Sequence, residues 1–293
     1  MNLAKRSFLT AGLAGVAAAL SACSTLRLFS TLTPKDSGVR RLAQGVTYGP
    51  GPRQAYDVYA PDRAPDSVHD LPLIIFFYGG GWNSGSKEDY GWFGMALAAM
   101  GYVVAVPDYR LVPEGVYPVF LEDSAAAVKT IVARAGDYGA DGKALGLAGH
   151  SAGAYNAVML ALDPRYLGED RAGHSPVIAC AGISGPYDFY PFDVRESRDA
   201  FGQWKTPEDT QPIHYARKTN TKFLLQQSRA DTVVGVHNAV NLDRRLREAG
   251  TDCELRLYDR LSHTDTAAVF SVPFRGKGTL YQDARAFLNR ALA

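Results

Sequence analysis

Cysteine is scarce in this sequence. Three residues in 293 are too few, and odd in number, for a disulfide framework. Charge imbalance is almost absent: 31 Lys+Arg against 30 Asp+Glu leave a formal net charge of +1. No strong basic field exists to hold phosphates, so nucleic acid is not an expected partner. Internal repeats and low-complexity blocks are missing too. What remains is ordinary globular composition, 46% hydrophobic and 21% charged. A chain of this length can bury roughly three quarters of its unfolded surface, enough for one large core, and single domains of this size are usually α/β.

Residues 1–22 read as an export signal and are set aside from fold reasoning. Lys5 and Arg6 make a positive start, and an apolar Ala/Gly/Leu-rich stretch runs from Leu9 to Leu20, too short to span a bilayer stably. It ends in Leu20-Ser21-Ala22-Cys23, which resembles a bacterial lipobox. That resemblance implies a mature protein beginning at a lipidated Cys23, bound to a membrane through its acyl chains and facing the periplasm. Ser24 leans the expectation towards the outer membrane. Lys5-Arg6-Ser7-Phe8-Leu9 is also similar to a twin-arginine signal, with Lys5 where the first Arg belongs. Residues 23–44 are expected to form a polar, irregular tether, and 45–293 the folded domain. Cys180 and Cys253 both sit in strand-like runs and are expected as buried free thiols.

After residue 44, short apolar runs alternate with helical patterns. Strands are expected at Ala55–Tyr59, Leu73–Tyr78, Tyr102–Pro107, Ala144–Ala148, Val177–Ile183, Lys222–Gln227 and Cys253–Tyr258. Helices are expected at 90–100, 121–135, 152–162, 236–249 and 279–292. Strand-helix alternation with continuous Val/Ile/Leu/Phe runs implies a mostly parallel sheet covered on both faces, with the earliest strands antiparallel. The interval 186–215 breaks the pattern with Pro, charges and many aromatics, and is expected as a small insert over the active site.

The segment carrying most chemistry is Leu145-Gly146-Leu147-Ala148-Gly149-His150-Ser151-Ala152-Gly153. It contains G-x-S-x-G, a weak motif alone. Here an apolar strand precedes it and a helix follows, which is the setting of a nucleophile elbow. Ser151 would project above the sheet edge at a helix N-terminus, where developing negative charge is favoured. A serine hydroxyl needs a base. Among His69, His150, His174, His214, His237 and His263, His263 lies in the loop after the last strand and is the expected base. Asp231, in the loop after the penultimate strand, is the expected carboxylate partner. The chain order Ser151, Asp231, His263 fits Ser…Asp…His. Asp188, Asp259 and Asp265 remain rivals for the acid. Gly79-Gly80-Gly81 closes a strand with no side chain over its N–H groups. Gly80, Gly81 and the N–H of Ala152 are the expected oxyanion donors.

With these residues in place, the chain resembles the α/β-hydrolase superfamily, and within it the serine carboxylesterases of the hormone-sensitive-lipase-like group. Tyr78-Gly79-Gly80-Gly81-Trp82 is similar to that group's H-G-G-G-W. Asp108-Tyr109-Arg110-Leu111-Val112-Pro113-Glu114 is similar to its D-Y-R-L-x-P-E, and Pro118 to Asp123 to its P-x-x-x-x-D. The resemblance covers about residues 45–292. It implies an α/β-hydrolase fold and a serine hydrolase cleaving carboxylic esters of small molecules, with no metal or organic cofactor needed. Two departures stand out: Tyr78 replaces the His that braces the oxyanion loop, and the usual D-P-L around the acid is absent. In this picture Asp108, Arg110 and Asp123 support loops and helix starts.

The aromatics Trp82, Tyr187, Phe192 and Trp204 are the expected substrate contacts, the last three from the insert. Two other readings stay open. The same triad serves amide chemistry, as in arylformamide hydrolysis or peptide cleavage, and a non-catalytic binding module could keep the fold.

Overall fold

The computed structural model describes residues 26–62 and 71–293. The expected signal segment, Cys23 and His69 lie outside the described residues. One sheet organises the chain. Its strands are β1 (Val39–Thr47), β2 (Ala55–Pro61), β3 (Leu71–Phe77), β4 (Val103–Pro107), β5 (Ala140–His150), β6 (Val177–Ile183), β7 (Lys222–Ser228) and β8 (Cys253–Tyr258). They lie in the order β1-β2-β4-β3-β5-β6-β7-β8. The β1–β2 and β2–β4 pairings are antiparallel, and every other pairing is parallel. The mostly parallel α/β sheet expected from the sequence is therefore present.

The helices that follow the strands are α1 (Gly91–Ala98), α2 (Val119–Ala133), α3 (Ala152–Leu162), α4 (Pro164–Leu167), α5 (Arg195–Phe201), α6 (His237–Glu248), α7 (His263–Ala268) and α8 (Leu280–Ala291). Every residue of α3 is buried, packed on β3, β5 and β6. Strands β3 to β6 read as near-continuous apolar runs because helices cover them. The ring of Phe93 on α1 stacks between Phe76 of β3 (4.1 Å) and Phe270 (4.3 Å), tying the sheet to the C-terminal region.

The expected irregular tether over 23–44 is corrected from residue 26 onward. Residues 26–32 are helical, and β1 adds an eighth strand at the sheet edge. Phe29 meets Trp92 edge-on at 5.3 Å and stacks on Phe274 at 6.0 Å. Asp36 takes two hydrogen bonds from Arg275, at 2.6 and 2.7 Å. An edge strand is partly solvated on both faces, so β1 shows no apolar alternation. Two register shifts blur its period further. No helix among the described residues is long and apolar enough to cross a membrane.

Cys180 and Cys253 are free and buried. Phe223 of β7 pairs with both, so a strand stands between them. Burial pushes both thiols well above their ordinary titration range.

Candidate active site

Three strand ends converge on one place. Beyond β5 the chain turns at Ser151 with φ +55° and ψ −122°, and α3 begins at once. Such a turn admits no bulk on either side. A Cβ on Gly149 would sit 2.2 Å from the carbonyl oxygen of Gly153, and one on Gly153 2.1 Å from that of Phe77. The Ser151 N–H donates to Ile183 O at 2.9 Å, fixing the elbow to β6.

Asp231 follows the end of β7 by three residues. Its Oδ1 accepts from the N–H groups of Val233 (2.9 Å) and Val234 (3.0 Å), and its Oδ2 accepts from Gln227 Nε2 at 3.1 Å. His263 opens α7, whose start is held by a capping box between Ser262 and Asp265. His263 Nδ1 lies 2.8 Å from Asp231 Oδ2, and His263 Nε2 lies 2.9 Å from Ser151 Oγ. A carboxylate can only accept, so Nδ1 carries the proton and Nε2 presents its lone pair to the serine. Burial alone would raise the Asp231 carboxyl. The bonds from His263, Val234 and Val233 outweigh it and hold the group below the usual carboxylate range, so it stays ionised.

The rival carboxylates have other partners. Asp188 accepts from Asn241, Asp259 from Arg229, and Asp265 caps α7 and binds Lys277. His237 lies against the Asp188 carbonyl, and His174 makes a surface pair with Asp170. Arg110 grips Asp123 through two side-chain bonds of 2.7 and 2.8 Å, in the supporting role expected for both.

The glycine loop closes the site on another side. A Cβ on Gly79 would stand 3.0 Å from the Cβ of Ser151, so loop and nucleophile are in contact. Gly80 and Gly81 have φ of +134° and +58°. The Gly80 carbonyl accepts from Asn83 N, Ser84 N and Ser84 Oγ. Across a planar trans peptide the Gly81 N–H must point the opposite way. Among the described residues the N–H groups of Gly80, Gly81 and Ala152 donate to no protein acceptor. That of Ala152 leaves the N-terminus of α3, with the helix dipole behind it.

The expected substrate contacts divide. Trp82 is corrected: only 4% exposed, it donates its indole N–H to Asn156 and packs among Phe120, Tyr155 and Phe201. Tyr187 is corrected too. It is fully buried, its hydroxyl against Gly182 and Gly185. Phe192 is half-buried and packs on Phe189, Tyr190 and Phe201. Trp204 is partly exposed and meets Tyr117 edge-on. The insert does reach the glycine loop, because Glu196 of α5 lies directly over Gly81.

Sequence reasoning did not mark His150 as part of this site. Its ring is 4.9 Å from that of His263, and its Nε2 is 3.2 Å from the His263 carbonyl. Burial, then the neighbouring His263, pushes its pKa down to about 3, so it is neutral. Its place between strand and nucleophile in the sequence was visible, but its neighbour was not.

Residues 56–246 match the BD-FAE family, well over half of the chain. The chain belongs to this family. The BD-FAE match takes in Ser151 and Asp231, and His263 follows it. Esterase LipC of Mycobacterium tuberculosis is 30% identical over 221 residues, covering 69% of this chain and 54% of LipC. Kynurenine formamidase of Salmo salar is 30% identical over 162 residues, covering 54% of this chain and 51% of that protein. The chain spans about half the length of these curated relatives. The solved structure of an inhibited esterase B from Lactobacillus rhamnosis superposes with a TM-score of 0.76 at 16% identity, covering 96% of this chain and 97% of that one. The fold is that of an α/β-hydrolase.

Proposed function

We propose that this BD-FAE protein is a serine hydrolase that cleaves carboxylic esters through an acyl-enzyme. The observation that carries the reading is the continuous Ser151–His263–Asp231 relay, with contacts of 2.9 and 2.8 Å. Ser151 Oγ attacks the ester carbonyl as His263 Nε2 takes its proton. Asp231 holds the imidazole in the required tautomer and stabilises its charged form. The oxyanion accepts from the N–H groups of Gly80, Gly81 and Ala152. His263 then gives its proton to the leaving alcohol. Water, deprotonated by the same imidazole, releases the acid and regenerates Ser151. Esterase LipC, by its name, supports the ester reading. The test is hydrolysis of p-nitrophenyl acetate. Ser151→Ala is expected to lower kcat by roughly 10⁴–10⁶, and near wild-type turnover in that variant overturns the assignment.

Amide hydrolysis is the second reading, favoured by the similarity to kynurenine formamidase. Turnover of an ester beside its matched anilide separates the two. We also propose export and anchoring through a lipidated Cys23, supported by the lipobox-like Leu20–Cys23. Intact mass of the membrane-extracted protein tests this, and an unlipidated chain retaining Met1 overturns it.

A further inference from the structure

Tyr78 stands where the resembling esterases carry the histidine that braces the oxyanion loop. It is fully buried, stacked between Tyr109 (4.8 Å) and Tyr90 (5.7 Å), and its hydroxyl donates to Asp108 Oδ1 at 2.9 Å. The partner that completes it comes from the turn between β1 and β2. Arg53 Nη2 donates to Tyr78 Oη at 2.7 Å and to the Gly85 carbonyl at 2.7 Å, while Arg53 Nε donates to the Tyr109 carbonyl at 3.0 Å. One guanidinium nitrogen therefore joins the first and last residues of the 78–85 loop. Within that loop Gly80, Gly81, Trp82 and Gly85 all have positive φ. A loop with so many left-handed positions has no regular ladder of its own to fix it.

From this geometry we infer that Arg53 is a positioning residue for the oxyanion donors, replacing with a guanidinium–phenol–carboxylate clamp what a histidine supplies elsewhere. The inference rests on the ester-hydrolase reading above. Arg53 touches no reacting atom and acts through Tyr78 and Gly85. Asp108 anchors the far side, held by the Lys87 ammonium at 3.0 Å and the Lys87 N–H at 2.8 Å. Charge-assisted bonds of this kind are strong and directional. The planar fork of arginine serves three acceptors at once, which a lysine cannot do fully.

The clamp is expected to matter in the transition state and not in substrate binding. In the full chain, Arg53→Met should lower kcat about 10²-fold, the scale of a loop misplaced by roughly an ångström. KM should stay within about twofold, the pattern of an interaction made only in the transition state. Affinity for an aryl trifluoromethyl ketone, which forms a tetrahedral oxyanion adduct on the serine, should fall in step with kcat. Arg53→Lys, able to keep the two Nη2-type donations, should lose less. Tyr78→Phe keeps the aromatic stack and should lose about 10-fold, on the scale of a single weakened donor interaction. Rates are taken per site titrated with a fluorophosphonate, so a variant that folds poorly is not mistaken for one that turns over slowly. Unchanged kcat per titrated site in both Arg53→Met and Tyr78→Phe overturns the inference, as does a loss confined to KM or to melting temperature. A wild-type chain that leaves esters intact and resists the fluorophosphonate overturns the ester reading and the clamp with it. A wild type that reacts while both variants match it overturns the clamp alone.

Discussion

At Ser151 the backbone occupies a region that a residue with a side chain rarely adopts, and the neighbouring glycines show why it is tolerated. Strain there aims Oγ at His263 Nε2. The acid is the cleanest single-residue test. Asp231→Asn keeps the shape but offers an amide that can turn an N–H toward His263 Nδ1, favouring the wrong tautomer. Turnover should fall by about 10⁴, the scale of that error in serine proteases, while Asp259→Asn should change little. Equal turnover in Asp231→Asn and wild type would remove Asp231 from the mechanism. His150 makes a different prediction. Unfolded, its imidazole titrates near the ordinary 6.5; folded, it is pushed down to about 3. Between those values the unfolded chain binds a proton that the folded chain does not. The stability contribution is complete above 6.5 and is lost as pH falls through the window, by about 2 kcal/mol on reaching about pH 5. Urea midpoints at about pH 7 and about pH 5 should differ less in His150→Gln than in wild type, and equal differences would show that His150 titrates normally. The convergence of Ser151, Asp231 and His263 was legible in the sequence because strand ends, loop position and chain order each constrain them. Trp82 and Tyr187 were misread because composition tells that an aromatic lies near a site and not which way its ring turns. Both rings turn into the core.

Among the elements, the insert is the one whose packing periodicity does not foretell. The seven strands and five helices expected from hydrophobic periodicity are present with bounds within a few residues of expectation, while β1, α4 and α7 carry no such signal. The insert has no such period, so its aromatics could be counted but not placed. In the structure they build a cluster continuous with the main core: Phe201 contacts Trp82, Phe120, Tyr155, Phe189 and Phe192. Phe201→Ala should cost about 3–5 kcal/mol in urea unfolding, the range for a truncated buried phenylalanine. Phe192 is half-buried at the rim of the same cluster. Phe192→Ala should change the ratio of butyrate to acetate ester hydrolysis with little loss of stability. An unchanged ratio would mean that the insert is packing only.

For the whole molecule, the parallel strands all deliver their C-terminal ends to the same edge of the sheet, which is how residues 112 apart in sequence come within a hydrogen bond. The sheet also extends further towards the N-terminus than apolar patterning reveals. A chain begun at residue 45, the boundary that patterning suggests, would lose most of β1, the Phe29 contacts and the Asp36–Arg275 pair. It would leave β2 with an unpaired edge, open to pairing with other copies. A chain begun at residue 26 keeps all of these. The shorter chain should melt about 6 °C lower, as a loss of about 3 kcal/mol gives in a domain of this size, and should aggregate on heating. The longer one should melt with the full-length protein. Equal melting of the two truncations would mean that β1 and the Asp36–Arg275 pair add nothing to the fold, and that the working domain begins after them.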